Sequence, residues 1–270
     1  MFRSEYATSN PYSTSHQPPA EEEAVVTPTV AATRARGIVT LALDAPATRN
    51  ALSARLVREL AGALADCGKD PDVRAVVLTH TGTTFCAGAD LKQPPDPAAF
   101  VGLLRLLLEL PKPVVARVTG HVRAGGLGLL GACDLAIGGP EASFAFTEVR
   151  IGVAPAVISM PLLPRLDPRA AARHFLTGDR FDAVEAARTG LLTEAAADVD
   201  AALAPVLDGL RGAAPGALAE TKRLLTAKVL EIFDRDTTEL TALSARLFAS
   251  AEAREGMTAF LERRDPAWML

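Results

Sequence analysis

The segment Phe85-Cys86-Ala87-Gly88-Ala89-Asp90-Leu91 contains a glycine and follows a predicted strand that ends at Thr79. A second glycine-containing segment, residues 120–128, follows another predicted strand, which ends at Val118. Ligands usually bind at the carboxyl ends of parallel strands, and glycine lets backbone N–H groups approach a ligand closely. One such segment alone would be explained by a tight turn. Two at equivalent positions predict a binding site in which backbone amides converge, as in an oxyanion hole.

Strand-like and helix-like patterns alternate around these two segments. Residues 38–43, 73–78 and 114–118 are mainly apolar segments rich in β-branched side chains, which predict strands. Between the first two runs, leucines recur every four residues from Leu52 to Leu64, a spacing that predicts one face of a helix. Strand, helix and strand in this order predict an α/β fold with a parallel sheet and crossover helices.

Beyond Ala154 the sequence becomes helical in character. Asp167 precedes a proline, and Asp182 precedes a glutamate by three residues, which are patterns typical of helix N-termini. Residues 200–263 contain about three amphipathic stretches, two of them separated at Pro215. An apolar helical tail after an α/β core predicts packing against that core or against another subunit.

Composition favours a globular protein without a polyanionic partner. The chain has 270 residues, and 49% of them are hydrophobic, which is enough for a sizeable core. Its formal net charge of -4 argues against binding to nucleic acid or to an anionic membrane surface. No apolar run approaches the roughly 20 residues that span a bilayer. We therefore expect neither a nucleic-acid nor a membrane partner.

Cysteine usage and the N-terminal composition give two further expectations. Cys67, Cys86 and Cys133 form no CxxC pair and no regular framework, so we expect buried free thiols in a reduced, cytoplasmic protein. Residues 1–33 include a stretch rich in serine, proline and polar residues, followed by a run of glutamates at 21–23. This composition predicts a disordered leader.

Taken together, three segments resemble the crotonase, or enoyl-CoA hydratase/isomerase, family. Residues 85–91 are similar to its F-x-A-G-A-D-L segment, and residues 120–126 to its G-x-x-x-G-G-G loop. Residues 146–155, which include Phe146-Thr147-Glu148 and end in Pro155, are similar to its glutamate segment. The resemblance runs from about residue 35 to 266 in the family's order. The co-occurrence of these segments is more specific than any one of them.

The resemblance implies a crotonase-like spiral β/α core, assigned to residues 34–205, and a helical C-terminal oligomerisation region, residues 206–270. It further implies homotrimers or hexamers and acyl-CoA thioester substrates. Coenzyme A would then be part of the substrate, so no separate cofactor and no metal are expected.

The resemblance also assigns residues to the site. The backbone amides of Ala89 and Gly125 would hold the thioester oxygen, and Glu148 would move protons. The segment with Ala87, Asp90 and Leu91 would contact coenzyme A, although Asp90 is better suited to holding backbone amides. Phe260 and Arg263 match positions that reach the coenzyme A of a neighbouring subunit, and a guanidinium suits a phosphate. A packed aromatic ring and a solvated charge explain these two residues equally well.

One departure from the family pattern bears on the reaction. Hydratases of the family normally carry a glutamate three residues after the oxyanion glycine, and this position is Gly128 here. Glu148 alone remains. Single-glutamate members include enoyl-CoA isomerases and some hydratases, and both reactions pass through a thioester enolate. We predict syn hydration of a 2-enoyl-CoA, because a glycine at position 128 leaves room for water, with isomerisation as the alternative.

Local sequence supports Glu148 as the acid and base. It lies among Phe144, Phe146 and Ile151, and apolar surroundings raise the pKa of a carboxyl group. A lone glutamate is ordinarily a surface or capping carboxylate, and here the family resemblance outweighs that interpretation. Arg123 and Arg150 flank the predicted site, where they would contact substrate or hold Glu148.

Two other classes of function remain as alternatives. Residues 126–131 read G-x-G-x-x-G with Glu148 about twenty residues on, which is typical of a dinucleotide-binding oxidoreductase. The fingerprint requires its turn at the end of the strand, whereas residues 121–125 intervene here. The other alternative is a non-catalytic acyl-CoA-binding protein that lost activity together with the missing glutamate.

Overall fold

The computed structural model describes residue 1 and residues 27–270. Most of the predicted leader therefore lies outside the described residues. The prediction of disorder up to residue 33 is wrong at its C-terminal end, because residues 30–33 belong to a strand. That strand pairs antiparallel with the next one, from Val30 opposite Leu43 to Ala35 opposite Ile38. The intervening Arg36 and Gly37 form the turn, both with positive φ.

The elements follow one another as short strands and helices. The strands are β1 (Val30–Ala35), β2 (Ile38–Leu43), β3 (Ala75–His80), β4 (Thr84–Cys86), β5 (Val114–Val118), β6 (His121–Arg123), β7 (Leu135–Gly138), β8 (Ser143–Ala145), β9 (Phe181–Asp182) and β10 (Glu194–Ala195). The helices are α1 (Ala54–Lys69), α2 (Pro97–Glu109), α3 (Gly125–Ala132), α4 (Ala156–Leu162), α5 (Pro168–Thr177), α6 (Ala183–Arg188), α7 (Val199–Gly212), α8 (Pro215–Phe248) and α9 (Ala251–Glu262). Short 3₁₀ turns span Pro46–Thr48 and Glu148–Ile151.

The larger sheet has the strand order β1-β2-β3-β5-β7-β10. From β2 to β10 in this order, each strand runs parallel to the next. Every residue of β3 is buried. A strand that is buried on both faces reads as a continuous apolar run, which is the pattern that predicted it. The prediction of a parallel sheet with crossover helices is confirmed.

A second, smaller sheet lies where the sequence predicted glycine loops. Its strand order is β4-β6-β8-β9, and β4, β6 and β8 run parallel. Each of these three strands has three residues. The two glycine segments are therefore not simple loops: each one begins in or contains a strand of this sheet.

The first helix begins later than its leucine repeat suggested. Ser53 caps α1 by accepting a hydrogen bond from the amide of Leu56 at 3.1 Å, so Leu52 precedes the helix. Leu56, Leu60 and Leu64 form the buried face as predicted. Leu52 instead forms a parallel bridge with Ala89, which ties the start of the helix to the first glycine segment.

Three helices, α7, α8 and α9, occupy the C-terminal region, as the amphipathic stretches predicted. Pro215 stands at the first position of α8, and the boundary predicted at residue 206 falls inside α7. The buried ammonium of Lys222 on α8 lies 2.8 Å from the Asp134 carboxylate and 2.7 Å from the carbonyl of Leu107. This pair fixes α8 to the core.

No helix in residues 27–270 combines the length and the apolar character needed to cross a bilayer.

Candidate active site

The first glycine segment presents the amide of Ala89. The amide of Leu52 donates to the carbonyl of Gly88 at 2.8 Å, and the amide of Asp90 donates to the carbonyl of Leu52 at 3.0 Å. Since both neighbours of Ala89 bond to Leu52, the Ala89 N–H points to the opposite side of the chain. Ala89 itself lines a cavity. Gly88 makes the turn with a φ of +96°, a conformation that suits glycine.

The second segment presents the amide of Gly125 at the first position of α3. The amides of a helix's first turn have no partner within the helix, and they stand at its positive dipole end. Ala124 precedes it with φ 46° and ψ −118°, so the chain turns sharply before the helix begins. A Cβ atom on Gly88 would lie 3.1 Å from the Cβ of Ala124. The two segments therefore touch, and both amides border the same cavity.

Glu148 begins the short 3₁₀ turn after β8, and its side chain is buried at 8% exposure. Its Oε2 atom has no hydrogen-bond partner among the described residues. Phe144 and Phe146 on the same segment are almost fully buried. Burial away from water raises the pKa of Glu148 to about 7. A carboxyl group with this pKa can both accept and donate a proton near neutrality.

The cavity that contains these groups has a volume of about 900 Å³. Glu148 is the single carboxylate among the described residues that line it. Pro94, Pro95, Pro97 and Phe100 form part of the wall. A largely apolar cavity with a few convergent polar groups is typical of a small-molecule site.

The expectation that Gly128 leaves room for water is wrong. A Cβ atom on Gly128 would lie 2.7 Å from Cγ2 of Ile158 and 3.6 Å from Cδ1 of Leu104. Gly128 is fully covered inside the core, and Ile158 rather than Gly128 lines the cavity. The volume of the missing glutamate is therefore filled by Ile158 of α4.

The G-x-G-x-x-G stretch does not form a nucleotide loop. Residues 126–131 lie wholly within α3, and all of them are buried. Cβ atoms on Gly126 and Gly131 would meet Cys86 and Leu162 at 2.7 and 2.8 Å. The three glycines permit close helix packing, which accounts for the pattern without a dinucleotide.

The two flanking arginines both bond to backbone carbonyls of neighbouring segments. Nη1 of Arg123 donates to the carbonyl of Ser143 at 2.6 Å, and Nε of Arg150 donates to the carbonyl of Thr177 at 3.1 Å. Neither bonds to Glu148. Both line the cavity, so contact with a substrate is open to each of them.

The predicted coenzyme A residues fall into two groups. Ala87, Leu91 and Phe260 line the cavity. Asp90 and Arg263 are not in its wall, and Oδ1 of Asp90 accepts the amides of Lys92 and Gln93 at 2.8 and 3.2 Å. Sequence reasoning missed Arg264, which lines the cavity while its guanidinium holds Glu255. Arg263 and Arg264 are adjacent in the sequence, so the sequence alone does not indicate which of the two lines the cavity.

Comparison with known proteins identifies the family of the chain. The sequence model of the enoyl-CoA hydratase/isomerase family matches residues 33–269. The chain belongs to this family. A crystal structure of an enoyl-CoA hydratase from Mycobacterium avium is 50% identical, with a TM-score of 0.86, and the similarity covers 90% of this chain and 100% of that one. The crotonase-like fold is therefore confirmed.

Two curated members of the family are named for particular substrates. The (E)-benzylidenesuccinyl-CoA hydratase of Thauera aromatica is 31% identical over 241 residues, which are 84% of this chain and 93% of that protein. The carnitinyl-CoA dehydratase of Proteus mirabilis is 31% identical over 248 residues, 86% of this chain and 94% of that protein.

Proposed function

We propose that this protein is an enoyl-CoA hydratase that adds water syn across the double bond of a 2-enoyl thioester. The observation that carries the proposal is Oε2 of Glu148: this atom is buried without a hydrogen-bond partner among the described residues, and Glu148 lines the cavity. Unsatisfied buried carboxylate oxygens are costly, so their persistence in a cavity points to a reacting partner. The amides of Ala89 and Gly125 border the same cavity and supply the complementary donors.

The reaction divides between these groups. The thioester oxygen accepts hydrogen bonds from the two amides, which stabilise the negative charge as it develops. Ionised Glu148 takes a proton from water as the water oxygen bonds to C3, and the electrons of the C2–C3 bond move onto the thioester as an enolate. Neutral Glu148 then returns the proton to C2. Because one carboxyl serves both carbons, both additions occur on one face.

The names of the relatives support a thioester substrate but differ in the acyl group. One is named for a benzylidenesuccinyl thioester and the other for a carnitinyl thioester. Hydration and dehydration are one reversible reaction, so both names support carbon–oxygen lyase chemistry for this chain. A cavity of about 900 Å³ is large enough for a bulky or branched acyl group.

Isomerisation of a 3-enoyl thioester is the second candidate. It is favoured by the single carboxylate in the cavity wall and by Ile158, which closes the position of a second one. One base suffices to move a proton from C2 to C4, whereas hydration has only Glu148 to orient water. We rank hydration first because the relatives named above are hydratases or a dehydratase.

A panel of 2-enoyl and 3-enoyl thioesters in H₂¹⁸O separates the candidates. Hydration predicts loss of the absorbance of the conjugated 2-enoyl thioester and ¹⁸O in the 3-hydroxy product. Turnover of 3-enoyl thioesters alone, without ¹⁸O, would establish the isomerase. Binding without turnover of either series would establish the non-catalytic acyl-CoA-binding protein.

We also propose that the chain forms trimers or hexamers in the cytoplasm. Leu224 and Leu225 on α8 and Leu261 on α9 expose about 70% of their surface each. Large exposed apolar side chains on neighbouring helices support an interface. Cys67, Cys86 and Cys133 are buried free thiols, which supports a reducing compartment. Light scattering after size-exclusion chromatography would give the oligomeric state, and a monomer would contradict the proposal.

A further inference from the structure

Arg123 enters the cavity from β6 with part of its guanidinium already bound. Nη1 donates to the carbonyls of Val122 and Ser143 at 2.8 and 2.6 Å, and Nη2 donates to Oγ of Ser143 at 2.8 Å. A guanidinium carries five N–H donors. One on Nε and one on Nη2 therefore remain without an acceptor in the described part of the chain. The head of Arg123 is held in place by three bonds and presents two donors side by side.

This pair of donors is the one that other arginines of the protein use for carboxylates. Arg117 contacts Asp200 through Nε and Nη2 at 2.6 and 2.7 Å. Arg188 contacts Glu185 through the same atoms, also at 2.6 and 2.7 Å. Two parallel N–H donors match the two oxygens of a carboxylate. Arg123 lines the cavity, and its same two donors have no acceptor among the described residues.

The surroundings of Arg123 are positively charged. Burial, and then the charge of Arg180, lower its pKa to about 10. His121 also lines the cavity and shares Ser143 through a 3.0 Å contact of Nδ1 with Oγ. No carboxylate of the described residues lies within 4.0 Å of Arg123 or Arg180, and Glu148 is the cavity's single acid. A half-buried arginine beside a second arginine, with no carboxylate of the described residues in contact, is costly unless an anion joins them.

The position of Arg123 connects it with the reacting groups. It lies two residues before Gly125 along the chain, and it pairs with Ala145, which lies three residues before Glu148. An anion held by Arg123 would therefore share the cavity with the predicted oxyanion donors and the predicted base. Acyl-CoA substrates differ from one another in the acyl group, which is therefore the part of the substrate that could carry such an anion.

We infer that Arg123, assisted by Arg180, binds a second carboxylate carried by the acyl group, so that the preferred substrates are 2-enoyl thioesters of dicarboxylic acids. This inference rests on the proposed function for the reaction, and on the geometry of Arg123 alone for binding. A phosphate of coenzyme A shares the same oxyanion chemistry, so the experiment must separate the two sources.

The experiment compares matched thioesters that differ only in the terminal group. Glutaconyl and 2-pentenoyl thioesters are the reactive pair, with homologous pairs up to C8, and glutaryl and pentanoyl thioesters are the unreactive pair for binding. Each is made as the coenzyme A ester and as the N-acetylcysteamine ester, which has no phosphate. The proteins are the full chain, Arg123→Gln, Arg180→Gln, and Arg169→Gln as a control on the exposed face of α5.

The full chain should favour the carboxylated member of each pair, in kcat/KM and in affinity, with both types of ester. Arg123→Gln should lower the ratio of carboxylated to neutral substrate by at least roughly tenfold, the scale of a charge-assisted pair. Arg180→Gln should lower it several-fold. Arg180 is exposed, so Arg180→Gln should fold even if Arg123→Gln does not fold because it lacks the bonds to Val122 and Ser143. Arg169→Gln should leave the ratio unchanged.

Three results would overturn the inference. If Arg123→Gln weakens carboxylated and neutral coenzyme A esters equally but spares N-acetylcysteamine esters, the anion is a phosphate of coenzyme A. If no ratio changes and the variant instead dissociates the oligomer, the anion is an acid of a neighbouring subunit. If the full chain shows no preference within either type of ester, the subsite does not exist. Preferential binding of glutaryl esters over pentanoyl esters, together with no turnover of any 2-enoyl ester, would refute the proposed reaction while sustaining the subsite.

Discussion

Ile158 covers Gly128 so closely that a Cβ atom at position 128 would lie 2.7 Å from Cγ2 of Ile158. Both residues are buried, and they join α3 to α4. The site where hydratases of the family normally place their first glutamate is therefore occupied by a side chain from another helix. Glu148 is left as the single carboxylate in the described wall of the cavity.

This contact predicts an energetic coupling between the two positions. Gly128→Ala should destabilise the protein by about 1–3 kcal/mol, because the added methyl group forces Ile158 to move. In the Ile158→Ala background the same change should cost less, with a coupling of about 0.5–3 kcal/mol. Urea unfolding of the two single variants and the double variant measures this coupling.

A matched control tests whether the loss of stability in Gly128→Ala is steric. Gly62 lies in α1 with no atom within 4 Å of an added Cβ, and Gly62→Ala should stabilise the protein by about 0.5–1 kcal/mol. If the effects of Gly128→Ala and Ile158→Ala simply add, the two side chains do not compete for one space.

The Ala89 amide can be tested by removing its proton. Ala89→Pro deletes the predicted oxyanion donor and should lower kcat by roughly 10²- to 10³-fold, because such a donor acts mainly on the transition state. Ala89→Gly keeps the N–H and serves as the control, with kcat within a few-fold of the unaltered protein. Circular dichroism establishes that both variants fold. Normal turnover in a folded Ala89→Pro would exclude this amide from the reaction.

The main sheet could be predicted because its strands carry a strong local signal. Residues 114–118 form a mainly apolar, β-branched segment of the length of a buried strand, and β5 spans the same residues. The N-cap at Asp167 could also be predicted, because an aspartate before a proline is typical of a helix N-terminus. In the structure its Oδ1 accepts the amide of Ala170 at 2.8 Å. In both cases a few neighbouring residues determine the structure.

The smaller sheet and the Gly128 contact could not be predicted, for two physical reasons. A strand of three residues, such as β6, is too short to show an alternating pattern. Ile158 lies thirty positions beyond Gly128, so the filling of that space depends on how two helices pack. Arg123 was located near the site from its place in the glycine segment, but its bonds to Ser143 depend on the pairing of β6 with β8.

Gly152 connects the Glu148 turn with the C-terminal region. It has a φ of +76°, and a Cβ atom there would lie 2.5 Å from the backbone carbon of Glu252 on α9. Gly152→Ala should therefore destabilise the protein by more than about 2 kcal/mol and lower kcat, because α9 and the turn must separate. Thermal unfolding and steady-state kinetics measure both effects. Gly209→Ala on α7, where nothing lies within 4 Å, is the control and should reduce neither stability nor kcat.

The raised pKa of Glu148 predicts how its replacement alters stability with pH. Its pKa is about 7 in the folded protein and 4.5 ordinarily, so the folded state binds the proton more tightly. The contribution of this group to stability is therefore complete below pH 4.5 and is lost as pH rises to 7. Glu148→Gln does not titrate, so its free energy of unfolding should rise relative to that of the parent protein as pH increases from 4.5. The difference should reach roughly 3 kcal/mol at pH 8. Urea unfolding at pH 5 and pH 8 measures the difference, and equal differences at both would contradict the pKa.

The same substitution tests the reaction itself. Glu148→Gln keeps the size of the side chain but cannot accept a proton, so kcat should fall by at least roughly 10²- to 10⁴-fold while thioester binding changes little. In the unaltered protein kcat/KM for hydration should decline below pH 7, because water is deprotonated by the ionised carboxylate. Asp134→Asn, which loses the ion pair with buried Lys222, is the control: it should lower stability and leave kcat nearly unchanged. Full turnover in Glu148→Gln together with loss of activity in another acidic variant would place the base elsewhere, and the lack of a partner for Oε2 among the described residues would then need a structural explanation.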